Sequence, residues 1–347
     1  MDVLRSTRSI DWQGQPIIHA CTAQADWGQL LLLTEDGGLH GLNLDNGRSQ
    51  SLAQLDLPEP TAPTPYWSHG FKVHCALSGD YAVVANDGGM FALLVDLRTG
   101  QPLKQLHGGD YHPETVPFSI AFTQHQGRDV LIHRTGWNRL DAMDCATGEN
   151  LTERDGLEYQ QPHYLDYFHG RLLPNPSHTC LLDDGWAWAP VGIPTVWSLP
   201  AWLNGNPWES EDGPTRRRLA QGADWDLPSV WLDDARVAIW NVANWDDDGF
   251  GDCVPAPGVA IFNITEPEPD EGHGGQIWPM PDLPAAKYLH HQNGQLLVVG
   301  ADQSWLWDVN TRELLAYQPD FAPQCFHQAR GELIEWSEQT LRVDRWN

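Results

Sequence analysis

Apolar residues in this chain fall in short runs of four to eight, separated by Gly, Asp, Asn or Pro, and helical spacing is almost absent. Such runs, bounded by turn formers, predict strands joined by tight turns, as in an all-β sandwich, barrel or propeller. One phrase recurs at intervals near 50 residues: an apolar strand ending in Asp, then a Thr-Gly or Asn-Gly turn. It reads Gly41-Leu42-Asn43-Leu44-Asp45-Asn46-Gly47, then Leu94-Val95-Asp96-Leu97-Arg98-Thr99-Gly100. It returns as Ala142-Met143-Asp144-Cys145-Ala146-Thr147-Gly148 and Leu306-Trp307-Asp308-Val309-Asn310-Thr311-Arg312. Repetition of one strand-and-turn unit at this period predicts a ring of four-stranded blades. In that plan Asp45, Asp96, Asp144 and Asp308 end third strands and cap the turn amides that follow.

The pattern divides the chain into units at residues 16–55, 70–106, 117–154, 163–221, 228–278, 286–318 and 324–346. The sixth reads as strands Ala286–His291, Gln295–Val299, Ser304–Val309 and Glu313–Tyr317, and the second follows the same plan. The last supplies only three strands, and the segment before the first unit, residues 3–10, reads as a lone strand. Pairing the two completes a seventh blade and leaves no sheet edge open. The expectation is one domain over residues 1–347, an all-β, seven-bladed β-propeller whose N-terminal strand closes the last blade.

The segment Gly300-Ala301-Asp302-Gln303-Ser304-Trp305-Leu306-Trp307-Asp308 resembles the third strand of the WD40-repeat family, with its Trp-Asp ending. Leu341-Arg342-Val343-Asp344 is a fainter echo. The likeness covers nearly the whole chain as a strand pattern and one unit closely. Elsewhere Val-Asp or Leu-Asp replaces Trp-Asp, and the family's Gly-His pairs do not recur, as in a divergent, bacterial-type relative. The resemblance implies a protein-binding ring. In such folds the loops between blades, and those joining second to third strands, build one face.

Composition narrows the choice of partner. Forty-seven acidic and 20 basic residues give a net charge of −27. That repels nucleic-acid backbones and anionic membranes, and attracts a basic partner or a cation. The 18 Trp and 41% hydrophobic content supply a substantial core. Cys21, Cys75, Cys145, Cys180, Cys253 and Cys325 contain no Cys-x-x-Cys pair, so they read as buried reduced thiols. The first eight residues carry no apolar leader core, and the longest aliphatic runs, Leu30–Leu33 and Leu296–Val299, are far too short to span a membrane. The expected location is cytoplasmic.

The inter-blade loops are rich in Pro, aromatics and acids, and Tyr66, Trp67, Tyr111, Tyr159, Asp224 and Trp225 are the expected partner-binding residues. Asn244, Asp246 and Asp248, with a turn-forming Gly249 and Asp252, space oxygen donors as a calcium loop does. Pro255 stands where an EF-hand would place its bidentate Glu. His107, Asp110, His112 and Glu114 are a weaker metal candidate. His19, His74, His290 and His327 fall on inner strands, either converging on the channel axis or each satisfied locally. The Arg216-Arg217-Arg218 run reads as a solvated outer strand. No serine elbow, phosphate loop or dinucleotide fingerprint occurs. The reading is a non-catalytic protein-binding propeller that presents its inter-blade face to a basic partner, as an inhibitor or immunity-type protein does. No cofactor is needed for that, apart from the Ca2+ the acidic loop would take. The alternative is a calcium-dependent propeller hydrolase or isomerase.

Overall fold

The computed structural model describes residues 4–59, 70–156, 159, 161–188, 190–242, 257–267 and 274–346. Its strands form seven antiparallel sheets in chain order, six of four strands and the third of three. Leu4–Asp11 pairs antiparallel with Thr340–Trp346, so the first strand is the outer strand of the last blade. The seven-bladed ring and its N-terminal closure are therefore as expected from the pattern.

Burial explains why the second strand of each blade is the most apolar. In the first blade Leu30 and Leu32 pack toward the last blade, and Leu31 and Leu33 toward the second. In the sixth, Leu296 and Val298 face the fifth blade while Leu297 and Val299 face the seventh. A strand covered on both faces has no solvent side, so alternation disappears. Each such side chain is fully buried and contributes about 1.5–3 kcal/mol. Seven core clusters result, one at each junction between neighbouring blades, the junction of seventh and first included.

The recurring turn has one construction. Asp96, Asp144 and Asp308 accept, through Oδ1, the backbone amides two or three residues on. The residue four on bonds back to the carbonyl of the capping residue. In the first blade the cap is Asn43, which takes the amides of Asp45 and Asn46. Asp45 is thus not the capping residue expected. Its carboxylate reaches across the ring closure to Arg330, 2.5 Å away.

The fourth blade departs from the strand-only expectation. Between its third strand, Val191–Ser198, and its two-residue outer strand, Arg217–Arg218, lie the helical segments Leu199–Asn204 and Glu209–Asp212. Ser198 caps the first by accepting from Ala201 N, and Pro200 sits in its first turn. Arg217 is not simply solvated, because it donates to the carbonyls of Ile264 and Glu266 on the fifth blade.

Candidate functional site

An eighth apolar cluster lies apart from the seven junction cores. It consists of Val116, Phe168 and Trp186, with Trp137 and Trp225 packed on it. Phe168 begins the inner strand of the fourth blade and is register-paired with Trp186 near the end of the second strand. Antiparallel pairing places the inter-blade loops and the second-to-third-strand loops at the same end of the blades. The cluster therefore belongs to the inter-blade face.

The rings are ordered. Tyr111 stacks on Phe168 with centroids 5.8 Å apart, Phe168 on Trp186 at 4.4 Å, and Trp186 on Trp225 at 4.7 Å, all within 16° of parallel. Trp188 stands across this row, at 70° to Tyr111, 82° to Phe168 and 76° to Trp186. Both offset stacks and edge contacts are favourable for aromatic quadrupoles. The middle of the row, Phe168 and Trp186, is buried, while Tyr111 and Trp188 remain 45% and 46% exposed. Tyr159 and Tyr164 meet edge to face at 5.4 Å. Burial, then Asp166, Tyr159 and Tyr111, push the Tyr164 phenol upward.

Two contacts hold the loops in place. Trp225 Nε1 donates to Thr115 O at 2.7 Å, tying the loop before the fifth blade to the loop before the third. Gly192 lets the Asp224 carbonyl approach so closely that a Cβ there would lie 1.9 Å from it. The rim is acidic: Asp110, Asp166 and Asp224 are exposed, and no ion pair among the described residues involves them. Glu114 lies 3.1 Å from His112 Nδ1, and the His112 ring abuts Trp188 at 5.4 Å.

Of the residues expected from the sequence, Tyr111, Asp224 and Trp225 come together here, with the largely exposed Tyr159 at the margin beside Tyr164. Tyr66 and Trp67 lie outside the described residues, as do Asn244, Asp246, Asp248 and Asp252. Sequence reasoning missed Trp137, Tyr164, Phe168, Trp186 and Trp188. The signal was present, because Trp137 and Trp188 follow second strands, at the same end of the blades as the inter-blade loops.

The channel beside this patch carries charge. Lys72 Nζ lies 2.5 Å from Asp87, and Arg171 Nη2 lies 3.0 Å from Asp226 and 2.7 Å from Leu227 O. Burial opposes the Lys72 charge, but Asp87 outweighs it and holds the ammonium above its usual pKa. Asp184 is pushed up to about 7 by burial, against the pull of Arg171. Its Oδ2 accepts Leu227 N at 2.6 Å and its Oδ1 has no partner among the described residues.

The histidines of the inner strands are mostly satisfied locally. His290 and His327 bond to the carbonyls of Pro323 and Ala23, and His19 Nδ1 accepts Val73 N. His74 is close enough to His19 to lower its pKa, and burial holds the two near 4 and 3 respectively. In the other metal candidate, His107 accepts Gly109 N while His112 turns to Glu114, so the two imidazoles serve different partners. Among the described residues no group of three metal-binding side chains converges. The five described cysteines are free thiols. Among the described residues no helix is long and apolar enough to cross a membrane.

No family model matches this chain, and no curated protein matches it in sequence. Solved structures do. The β-propeller domain of Cps50 (Swd1) from Myceliophteria thermophila is 9% identical, with a TM-score of 0.62 over 99% of this chain and 100% of that one. A chain in a crystal structure of the mitotic checkpoint complex is 11% identical, with a TM-score of 0.59 over 99% of this chain and 96% of that one. Likeness at such identity carries the architecture and nothing finer: this chain is a seven-bladed β-propeller.

Proposed function

We propose that this protein is a non-catalytic binding propeller, in the manner of WD40-repeat scaffolds, and that its inter-blade face receives a basic protein partner. The observation that carries the reading is the ordered aromatic row, capped by the half-exposed Tyr111 and Trp188, with exposed carboxylates on the same face that form no ion pair among the described residues. Large aromatics in a partly desolvated patch are the residues that dominate protein interfaces. A similar fold within a mitotic checkpoint complex supports a role in assembly. The charge of −27 would steer a basic partner and make association fall with salt.

The test is affinity capture on the immobilised chain, wild type beside Tyr111→Ala/Trp188→Ala, washed at low and high salt, with mass spectrometry of what is retained. The expected result is a basic protein retained at low salt by the wild type and lost from the double variant. Equal retention by both forms would place the binding surface elsewhere on the ring.

A further inference from the structure

We propose that the corner where Trp188 meets Tyr111 seats an arginine side chain from an extended basic segment of the partner. This deepens, and rests on, the reading of the inter-blade face as a protein-binding surface. The two rings meet at 70° with centroids 6.4 Å apart, the His112 ring stands edge-on to both at 4.7 and 5.4 Å, and nearly half of each of the two is open to solvent. The inner members of the row are buried, so the corner has a rigid floor. A π-face attracts a cation, and a planar guanidinium stacks on it while its N–H groups remain free for acceptors. Carboxylate acceptors belong to the same face: Asp110 immediately precedes Tyr111, Asp224 precedes Trp225 at the other end of the row, and Asp166 follows Tyr164 by two residues, all exposed and outside any ion pair among the described residues. An acidic segment would meet repulsion there, and a second copy of this chain would bring its own excess of negative charge. An ammonium would gain the attraction but not the stacking or the forked hydrogen bonds.

The experiment titrates the full chain with a glycine-serine peptide carrying three arginines, followed by tryptophan fluorescence. Parallel titrations use the same peptide with citrulline, a neutral isostere, or lysine in place of arginine. Saturable binding of the arginine peptide is expected, weakened about tenfold or more by citrulline and less by lysine. Trp188→Ala should weaken it about five- to tenfold, and Trp188→Phe should restore most of the loss. Both replacements fall on a half-exposed ring, and an unchanged thermal melt verifies the fold. Citrulline binding as tightly as arginine, or Trp188→Ala and Tyr111→Ala both without effect, overturns the proposal. So does absence of arginine-peptide binding, or a dimer in sedimentation that Trp188→Ala converts to monomer, which would make a second copy the occupant. Citrulline parity, insensitivity to both alanine variants or absence of peptide binding leaves the partner-capture experiment free to succeed, so the two readings fail separately; the Trp188-dependent dimer alone would overturn both.

Discussion

Asp184 shows how one side chain can bind structure and pH together. It is buried in the fourth blade, one of its oxygens has no partner among the described residues, and its pKa is raised to about 7 chiefly by burial. An unfolded Asp titrates near about 3.9. Between these values the folded protein retains a proton that the unfolded chain has released, so the contribution to stability falls as pH rises from about 4 to 7 and stays low above. Inner-strand histidines work in the opposite sense. His19, His74 and His290 are held by burial near 3, 4 and 4, so their stabilisation is complete above about 6.5 and is lost as pH falls. Comparing wild type with Asp184→Asn cancels the histidines. The melting temperature of the variant should gain on wild type steadily from pH 4 to 7 and hold a constant lead at pH 8. Parallel curves would show that Asp184 ionises normally in the fold. The same scale holds the one misreading of the repeated phrase. Counting four back from the left-handed residues Gly47, Gly100, Gly148 and Arg312 reaches Asn43, Asp96, Asp144 and Asp308. Asn caps a turn as Asp does, so anchoring the phrase on Asp alone slipped the first blade by two residues.

The third blade shows how an element can be finished by something other than a strand. Its third strand, Arg139–Asp144, has no regular outer partner among the described residues: it pairs outward through an isolated bridge to Asn150, through the Asp144 N–H to Glu149 O and Leu151 N–H to Ala142 O bonds, and through Ala142 N donating to Thr152 Oγ1. Beyond that, Arg154 takes over. Its guanidinium donates to Leu140 O at 2.8 Å, to Asp141 Oδ1 at 2.8 Å and to Glu211 of the fourth blade's short helix, and lies over the Trp208 ring. Arg154 and Glu211 side chains are essentially inaccessible. The inserted helix thus covers an edge that would otherwise be open, which is one way sheets avoid edge-to-edge pairing. Removing one partner of such a pair strands the other charge. Arg154→Ala should cost about 3–5 kcal/mol in urea unfolding, and Glu211→Gln added to it should recover part of the loss. A cost below about 1 kcal/mol would mean that the pair is solvated and the edge is held otherwise. The helical insert was not legible, because six- and four-residue helices give too few turns for a period to show. Its Trp-rich sequence reads equally well as loop.

At the scale of the molecule, stability is shared among seven junctions, and the junction of the last blade with the first depends on the ring closing. Trp12, Ile17, Leu30 and Leu32 pack there against Ile334, Leu341 and Val343. Arg8 pairs with Glu332 at 3.0 Å, and Arg330 with Asp45 at 2.5 Å. Deleting residues 4–11 exposes the full edge of Thr340–Trp346. The expected outcome is aggregation or strand exchange in size-exclusion chromatography and a broadened, lowered melt. A monomer with an unchanged melt would show that the first strand is dispensable.

Blade number and ring closure follow from the sequence alone. Strand runs and turn residues are local, and a run such as Leu30–Leu33 is apolar because both of its faces are covered. The aromatic row was decided only by tertiary structure. Tyr111, Phe168, Trp186 and Trp225 come from segments more than 100 residues apart at the extremes, and their stacking depends on how neighbouring blades are set around the ring. Charge placement was decided there too. The sequence counts 47 acids, but only the folded ring distinguishes those spent on turns and ion pairs, such as Asp96 and Asp87, from Asp110, Asp166 and Asp224 left exposed around the rings.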